Sequence, residues 1–293
     1  MNRFRFVQAE KARYAVALLC RVVEVSRAGY YAWAKRELSP RAKADVALTV
    51  RIRQAHAQSR GAYGAPRVHA ALAAAGNRHG CKRIARLMRA AGLQGCVRRR
   101  KHPQTTVVNP AAVPPPNLVQ RQFTPVAPNR LWIGDITYLR TGEGWRYLAV
   151  LLDAYSRRVV GWAMADHLRV ELALDALKMA LGRRLPGLGK LVHHTDRGSQ
   201  YTAAAYQQAL TAQDITASMS RTGNCYDNAV AESFFATLKR ELIERREWPT
   251  QQEVRAAVFE WVEVFYNRKR LHSTLGYLSP LDFERRQPLE RSA

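Results

Sequence analysis

Acidic residues are scarce in the first part of this chain. Residues 1–130 carry 25 lysine and arginine residues against 4 aspartate and glutamate residues, whereas residues 131–293 carry 22 against 19. Nearly all of the net charge of +24 therefore lies in the N-terminal part. A concentrated positive field attracts polyanions, among which nucleic acid is the commonest partner. A basic surface that serves only solubility is the alternative.

Long apolar runs and paired cysteines are also missing. No apolar run approaches the ~18 residues of a membrane-spanning helix, and the first one, "AVALLC", is too short for a secretory signal. A basic amphipathic helix with a broad aromatic and leucine face, typical of membrane binding, is not evident. The four cysteines form no CxxC pair, which argues against a zinc site and a disulfide framework. These absences favour a soluble intracellular protein without a membrane partner.

The basic part reads as helical. Residues 12–36 fit two short helices around a tight turn, with Ser26 capping the second, as in a helix-turn-helix. Residues 45–95 hold a second helical unit that ends near Gly92, a suitable C-terminal cap. Basic side chains within and after this unit predict a phosphate-binding stripe. The candidates are Arg83, Arg86, Arg98, Arg99, Arg100 and Lys101.

A proline-rich segment separates two regions of different pattern. Residues 102–125 contain "NPAAVPPPN" and show no hydrophobic periodicity, which predicts a stiff linker. We therefore expect a basic helical DNA-binding region at 1–101 and a second domain at 126–293. No internal repeat is visible.

Residues beyond 130 alternate between strand and helix patterns. Three tightly joined strands, "LWIGDITYLR", "WRYLAVLLDAYS" and "RVVGWAMAD", predict an antiparallel meander. A helix at 169–184, the strand "KLVHHT", a helix at 202–212 and the strand "ITASM" follow. Two further helices, at about 228–246 and at 251–267, complete an α/β domain with a mixed sheet.

Three acids of this domain are candidates for one site. Asp135 stands among apolar residues of the first strand, and Asp196 ends the fourth. A meander followed by one crossover can bring strand four beside strand one, and two such carboxylates repel unless a cation or proton lies between them. Glu232 lies close to the apolar side of the long helix, whereas Glu241, in a charged stretch, is expected to face solvent.

Other acids leave the choice open at this point. Asp153 and Asp166 also sit at strand ends, and Asp227 precedes the long helix. Three carboxylates around one cleft are the usual way of holding Mg²⁺ or Mn²⁺, and a pair of ions can clamp the attacking and leaving oxygens of a phosphodiester.

Nearly the whole chain resembles the DDE transposases of the insertion sequence three family, specifically their second-frame (OrfB) protein. The resemblance rests on "GDITYL", "HHTDRGSQY" and "SMSRTGNCYDNAVAESFFATLKREL", with 35 residues between Asp196 and Glu232. Further support comes from "FYNRKRLHSTLGYLSP", "RGAYGAPRVHAAL" and "CKRIARLMRAAGLQG". Four residues match family positions without an assigned role: Gly198, Ser199, Gln200 and Asn228.

The resemblance implies a retroviral-integrase-like core of ribonuclease-H fold, in which Asp135, Asp196 and Glu232 are catalytic and hold two divalent metal ions, Mg²⁺ or Mn²⁺. It implies cleavage of duplex DNA at element ends and strand transfer by the freed 3′-hydroxyl, with a homo-oligomer on the DNA. The family's active protein is generally a frameshift fusion. Because this chain begins with Met1 and has no sustained heptads, we expect it to need a first-frame partner or fusion.

Two other functions remain as alternatives at this point. One is a non-catalytic DNA-binding regulator or an inactive element remnant, against which the three intact acids speak. The other is a ribonuclease-H-type nuclease, which shares the site but does not need strand transfer or a strongly basic helical region.

Overall fold

The computed structural model describes residues 3–96, 115–120, 122–184, 191–220 and 228–286. The helices before the sheet are α1 (Arg3–Glu10), α2 (Val16–Val22), α3 (Arg27–Lys35), α4 (Pro40–Gln58), α5 (Ala65–Ala74) and α6 (Cys81–Ala90). The strands are β1 (Leu131–Thr141), β2 (Gly144–Asp153), β3 (Val159–Ala165), β4 (Val192–Thr195) and β5 (Thr216–Met219). The later helices are α7 (Val170–Arg183), α8 (Ser199–Thr202), α9 (Ala204–Thr211), α10 (Ala229–Glu241), α11 (Gln251–Phe259) and α12 (Pro280–Arg286).

The strands form one mixed sheet in the order β3-β2-β1-β4-β5. β1 and β2 pair antiparallel, as do β2 and β3, whereas β4 pairs parallel with both β1 and β5. This confirms the predicted meander with parallel additions, and it confirms that the fourth strand lies beside the first. The crossover through α7 is what allows β4 to run parallel to β1.

The two faces of the sheet are covered by different helices. Along β1, Ile133 and Leu139 pack into a core that includes apolar residues of α10 and α11. Trp132, on the opposite face, packs with residues of α7 and α9. Because neighbouring residues of a strand point to opposite faces, Asp135 lies on the same face as Ile133, the face that α10 covers.

The basic helical region consists of two differently packed parts. Helices α1–α3 enclose a small core of their own around Val7 and Tyr30. Helices α4–α6 instead share the core of the sheet and α10. The Tyr63 hydroxyl accepts a hydrogen bond from the Leu271 backbone N–H at 2.8 Å and donates one to the Lys269 carbonyl at 3.2 Å. Core and hydrogen bonds therefore tie α4–α6 to the C-terminal part.

Two predicted caps of this region are present. The Ser26 hydroxyl accepts a hydrogen bond from the Gly29 N–H at 2.9 Å at the start of α3. Gly92 follows α6 with a φ of +68°. Its N–H donates to the Arg89 carbonyl, and the Leu93 N–H donates to the Met88 carbonyl. This is a Schellman C-cap, which favours glycine because a Cβ is strained at positive φ.

Several predicted helix boundaries differ from those observed. α1 lies before the region predicted as helical. α9 corresponds to the helix predicted at 202–212, and the short α8 precedes it because Ala203 between them is extended, with a ψ of 137°. α10 stops at Glu241, and a 3-10 turn over Ile243–Arg245 follows. α11 continues as a π-helix over Glu260–Tyr266. No helix within the described ranges is long and apolar enough to cross a bilayer.

Candidate active site

The strand pairing brings Asp135 and Asp196 together. In the parallel pair, Trp132 aligns with His193 and Ile133 with His194. Continuing this register by two residues sets Asp135 beside Asp196, which directly follows β4. Burial raises the pKa of Asp135 well above its usual range, and the nearby negative charge of Asp196 raises it further. The structure therefore places these two predicted acids side by side.

Gly134 allows β1 and β4 to approach each other next to this pair. A Cβ at Gly134 would lie 2.7 Å from the His193 Cε1 atom, closer than real Cβ contacts. The lack of a side chain is thus needed one residue before Asp135. This requirement, and not only a strand pattern, explains the glycine in "WIGDITY".

Backbone donors orient both carboxylates. The Ile136 N–H donates to Asp135 Oδ1 at 2.8 Å, and the Gly198 N–H donates to Asp196 Oδ1 at 2.9 Å. Gly198 has an ordinary φ of −58°, but a Cβ there would lie 3.0 Å from Asp196 Oδ1. A glycine at position 198 therefore avoids a close contact with the Asp196 carboxylate, whereas the backbone conformation of the turn does not require a glycine.

The two histidines of "HHTDRGSQY" are core residues. His193 Nε2 is 2.8 Å from the Tyr206 hydroxyl, and burial lowers the pKa of His193 to about 3. His194 Nδ1 lies 2.9 Å from the Ser218 Oγ of β5. Both rings are buried. The two imidazoles connect β4 to α9 and β5 in the core. Asp196, which follows β4, is therefore the acid of this motif that can act at the end of the strand.

Glu232 lies in the first turn of α10 and is exposed. We expected it near the apolar side of the helix, but that side is formed by Ala231, Phe234, Phe235 and Leu238. Desolvation raises the pKa of Glu232, and its charge contributes to the raised pKa of Asp135. Glu232 thus stands at the edge of the packed face, within electrostatic reach of Asp135.

The expectation that Glu241 faces solvent is wrong. Its side chain is 5% exposed and accepts two hydrogen bonds from Arg270, Nε to Oε2 at 2.9 Å and Nη2 to Oε1 at 2.7 Å. The charged sequence around Glu241 hid this pairing, because the partner lies 29 residues away. The sequence places Glu241 on the helix, but only the tertiary structure shows that the Arg270 guanidinium lies next to its carboxylate.

Asp153, Asp166 and Asp227 were the remaining candidates. Asp153 is buried and accepts the Asn129 and Tyr155 N–H groups, at 2.8 and 2.9 Å, so it fixes the turn after β2. Asp166 follows β3 and is exposed. Asp227 lies outside the described residues.

Of the predicted phosphate-binding residues, two can be described. Arg83 and Arg86 both bind Asp45, with Nη2 to carboxylate distances of 2.7 and 2.5 Å. Their side chains are 32% and 52% exposed, so these pairs tie α6 to α4 while leaving part of each guanidinium accessible. The other four, at positions 98–101, lie outside the described residues.

The three carboxylates match a hard divalent cation in chemistry, since oxygen donors and a surplus of negative charge are what Mg²⁺ and Mn²⁺ require. Burial raises the pKa of Asp135, and repulsion by Asp196 and Glu232 raises it further; a cation would relieve the repulsion. Within the described ranges, however, no three His, Cys, Asp or Glu side chains are close enough to hold an ion. The geometry therefore shows neighbouring acids and not a closed metal cage.

Comparisons with known proteins extend over nearly the whole chain. Residues 125–225 and 213–280 match integrase core domains, and residues 43–102 match an HTH-like domain. The chain is 40% identical over 284 residues to the transposase InsF for insertion sequence IS3A of Escherichia coli (strain K12), covering 96% of this chain and 98% of the relative. It is 43% identical over 265 residues to an uncharacterized 31 kDa protein of insertion element IS600 from Shigella sonnei, covering 90% and 97%.

Solved structures with a similar arrangement include a simian T-cell lymphotropic virus intasome bound to a PP2A regulatory subunit. That match has a TM-score of 0.48 and 17% identity and covers 77% of this chain and 73% of the other. The Mos1 mariner transposase catalytic domain matches with a TM-score of 0.39 and 16% identity, covering 47% and 71%. The fold is an α/β ribonuclease-H-like core preceded by an HTH-like helical region. On its identity to InsF over almost its full length, the chain belongs to the insertion sequence IS3 family of transposases with an integrase core.

Proposed function

We propose that this transposase cleaves the DNA ends of its insertion element and joins the freed 3′-hydroxyl to a target phosphodiester. Asp135, Asp196 and Glu232 are the catalytic residues and carry two divalent ions, Mg²⁺ or Mn²⁺. The observation that supports this most is the parallel register of β1 and β4, which sets Asp135 beside Asp196. Burial raises the pKa of Asp135, and the charges of Asp196 and Glu232 raise it further. Two acids set side by side by neighbouring strands, with a third on the helix that covers them, support a site for cationic chemistry.

The residues of the chain prepare this site before a ligand binds. A bound divalent cation would stabilise the charge that develops on the attacked phosphodiester. Asp135 and Asp196 each have one oxygen held by a backbone N–H, so their orientation is set by the fold. Glu232, on the exposed first turn of α10, can approach or leave the pair without unpacking the core.

The proposal assigns DNA affinity to the basic helical region, residues 1–101, joined through a linker at 102–125 to the catalytic domain at 126–293. Arg83, Arg86 and the run from Arg98 to Lys101 contact phosphates. Duplex DNA, both element end and target, is the partner, and the protein acts in the bacterial cytoplasm at the nucleoid. It assembles as a homo-oligomer on DNA, with a first-frame protein or fusion supplying end recognition.

Labelled element-end duplex, incubated with wild type in Mg²⁺ and in EDTA, tests the function. We expect nicked ends and joined products in Mg²⁺ only. Nicking without joined products would indicate a ribonuclease-H-type nuclease instead, and binding without nicking would indicate a DNA-binding regulator.

A further inference from the structure

A cavity of about 270 Å³ lies beside α10, the helix that carries Glu232. Ser233 and Thr237 line it from α10, Arg67 lines it from α5, and Arg157 from the turn between β2 and β3. Residues 270–274 close it with Arg270, His272 and two hydroxyl side chains. Segments far apart in sequence thus converge on one polar space.

The lining of this cavity is positively charged. It includes three arginines and no aspartate or glutamate. Glu241 neutralises Arg270 through its two hydrogen bonds, which leaves the charges of Arg67 and Arg157 in excess. His272 adds no charge, because burial and the nearby arginines hold its pKa well below the usual range. The cavity therefore suits an anion with hydrogen-bond acceptors.

Arg157 is the least explained of these cations. It is half-buried, and its backbone has a φ of +62°. In the part of the chain that the structure describes, its guanidinium makes no hydrogen bond and no ion pair. Arg67, by contrast, donates from Nε to the Leu271 carbonyl at 3.1 Å. The carboxylate of Asp153 acts on Arg157 through its charge alone. A desolvated guanidinium that no hydrogen bond satisfies lowers stability, so a role in binding explains why it is present.

We propose that this cavity binds one backbone phosphate of the DNA strand, held by Arg67 and Arg157 together with the hydroxyl of Ser233. The inference deepens the proposed function and rests on it for the identity of the ligand. Ser233 is adjacent to Glu232, and a helix is roughly 10 Å across. Phosphates of one strand are about 3.4 Å apart along the duplex axis, so the bound phosphate lies within about three nucleotides of the scissile linkage. It would fix the register of the strand in the active site.

Binding of element-end duplex in EDTA tests the cavity without relying on catalysis. The variants are Arg157→Gln and, as a charge-matched control, Arg255→Gln, an exposed residue of α11 that does not line the cavity. We expect Arg157→Gln to weaken binding on the order of tenfold and to reduce the slope of log K against log salt by about 0.9. Arg255→Gln should change neither. The melting temperature of Arg157→Gln should equal or exceed that of wild type.

A single methylphosphonate linkage, which is neutral, is placed at one position after another near the cleavage site. This series locates the phosphate that the cavity binds. At one position, the neutral linkage should weaken DNA binding by wild type and by Arg255→Gln. The same linkage should leave the already weakened binding of Arg157→Gln unchanged. Equal sensitivity of all three proteins at every linkage would overturn the proposal, as would a lowered melting temperature of Arg157→Gln with unchanged DNA affinity. Should wild type cleave no DNA with any divalent cation, the proposed function would fail, while a linkage-specific effect in EDTA would still support the cavity.

Discussion

Helix α10 carries two glutamates with opposite environments. Glu232, in its first turn, is exposed and within electrostatic reach of Asp135, whereas Glu241, in its last turn, is buried against Arg270. The first carboxylate adds to a surplus of negative charge, and the second completes an ion pair inside the core. The comparison teaches that the surroundings of an acid, and not its helix or its neighbours in sequence, decide whether its carboxylate stays accessible to a ligand or supports the core.

The largest expected effect is on catalysis. Glu232→Gln, Asp135→Asn and Asp196→Asn should each reduce cleavage by more than the roughly 10- to 100-fold loss typical of a residue that only orients a metal ligand. DNA binding should stay nearly unchanged, because the basic helical region supplies affinity. Gel assays of cleavage and binding check this, with Asp166→Asn as the control for an exposed acid at a strand end. Retained cleavage by any of the three variants removes that residue from the site.

Breaking the other end of α10 should affect stability instead. Glu241→Gln leaves the buried Arg270 charge without its partner, which costs about 3–5 kcal/mol and lowers the melting temperature by roughly 10 °C. Cleavage measured well below melting should persist. The pair Glu241→Leu with Arg270→Met removes both charges and should be more stable than Glu241→Gln alone. A Glu241→Gln protein that melts like wild type would show that the pair does not support the core.

Asp153 differs from both glutamates of α10. It is buried, as Glu241 is, but its carboxylate accepts hydrogen bonds from backbone N–H groups. Burial raises the pKa of Asp153 from 3.8 to about 6, while hydrogen bonds from Asn129 and Tyr155 and the charge of Arg184 partly offset the rise. Between pH 3.8 and about 6, the folded state therefore binds more protons than the unfolded state. The contribution of Asp153 to stability is complete below pH 3.8 and is lost as pH rises through about 6. The loss amounts to at most about 3 kcal/mol.

Urea unfolding of wild type and Asp153→Asn between pH 4 and 7 measures this contribution. The free energy of unfolding of wild type, relative to the variant, should fall as pH rises. A difference that is constant with pH contradicts the raised pKa.

The smallest expected effect concerns metal. Mg²⁺ or Mn²⁺ at 100 times its Kd should stabilise wild type by about 2.7 kcal/mol. Asp196→Asn removes one of the repelling charges, so it should melt above wild type in EDTA and respond less to metal. Thermal scans across a Mn²⁺ titration check both statements. Identical metal responses would show that Asp196 is not a ligand.

Among the structural features, the order of the strands followed from the sequence. The spacing of "WIGDITY" and "KLVHHTD", with one crossover between them, predicts β4 beside β1, since chain connectivity leaves few ways to pair short buried strands. The caps at Ser26 and Gly92 were predicted for the same reason, because each depends on residues close in the chain. Local patterns report local hydrogen bonds, and these predictions were confirmed.

Features that join distant segments were decided by the tertiary structure. The burial of Glu241 depends on Arg270, the attachment of α4–α6 to the C-terminal segment at 269–271 depends on Tyr63, and the cavity beside α10 is lined by Arg157. No periodicity in the sequence indicates such partners, because the energy of a buried charge or hydrogen bond is set by whichever atoms the fold brings within a few ångströms. The sequence by itself determined the strand order that sets Asp135 beside Asp196, because connectivity and apolar pattern limit strand pairing, and packing decided which of the charges of this transposase are paired.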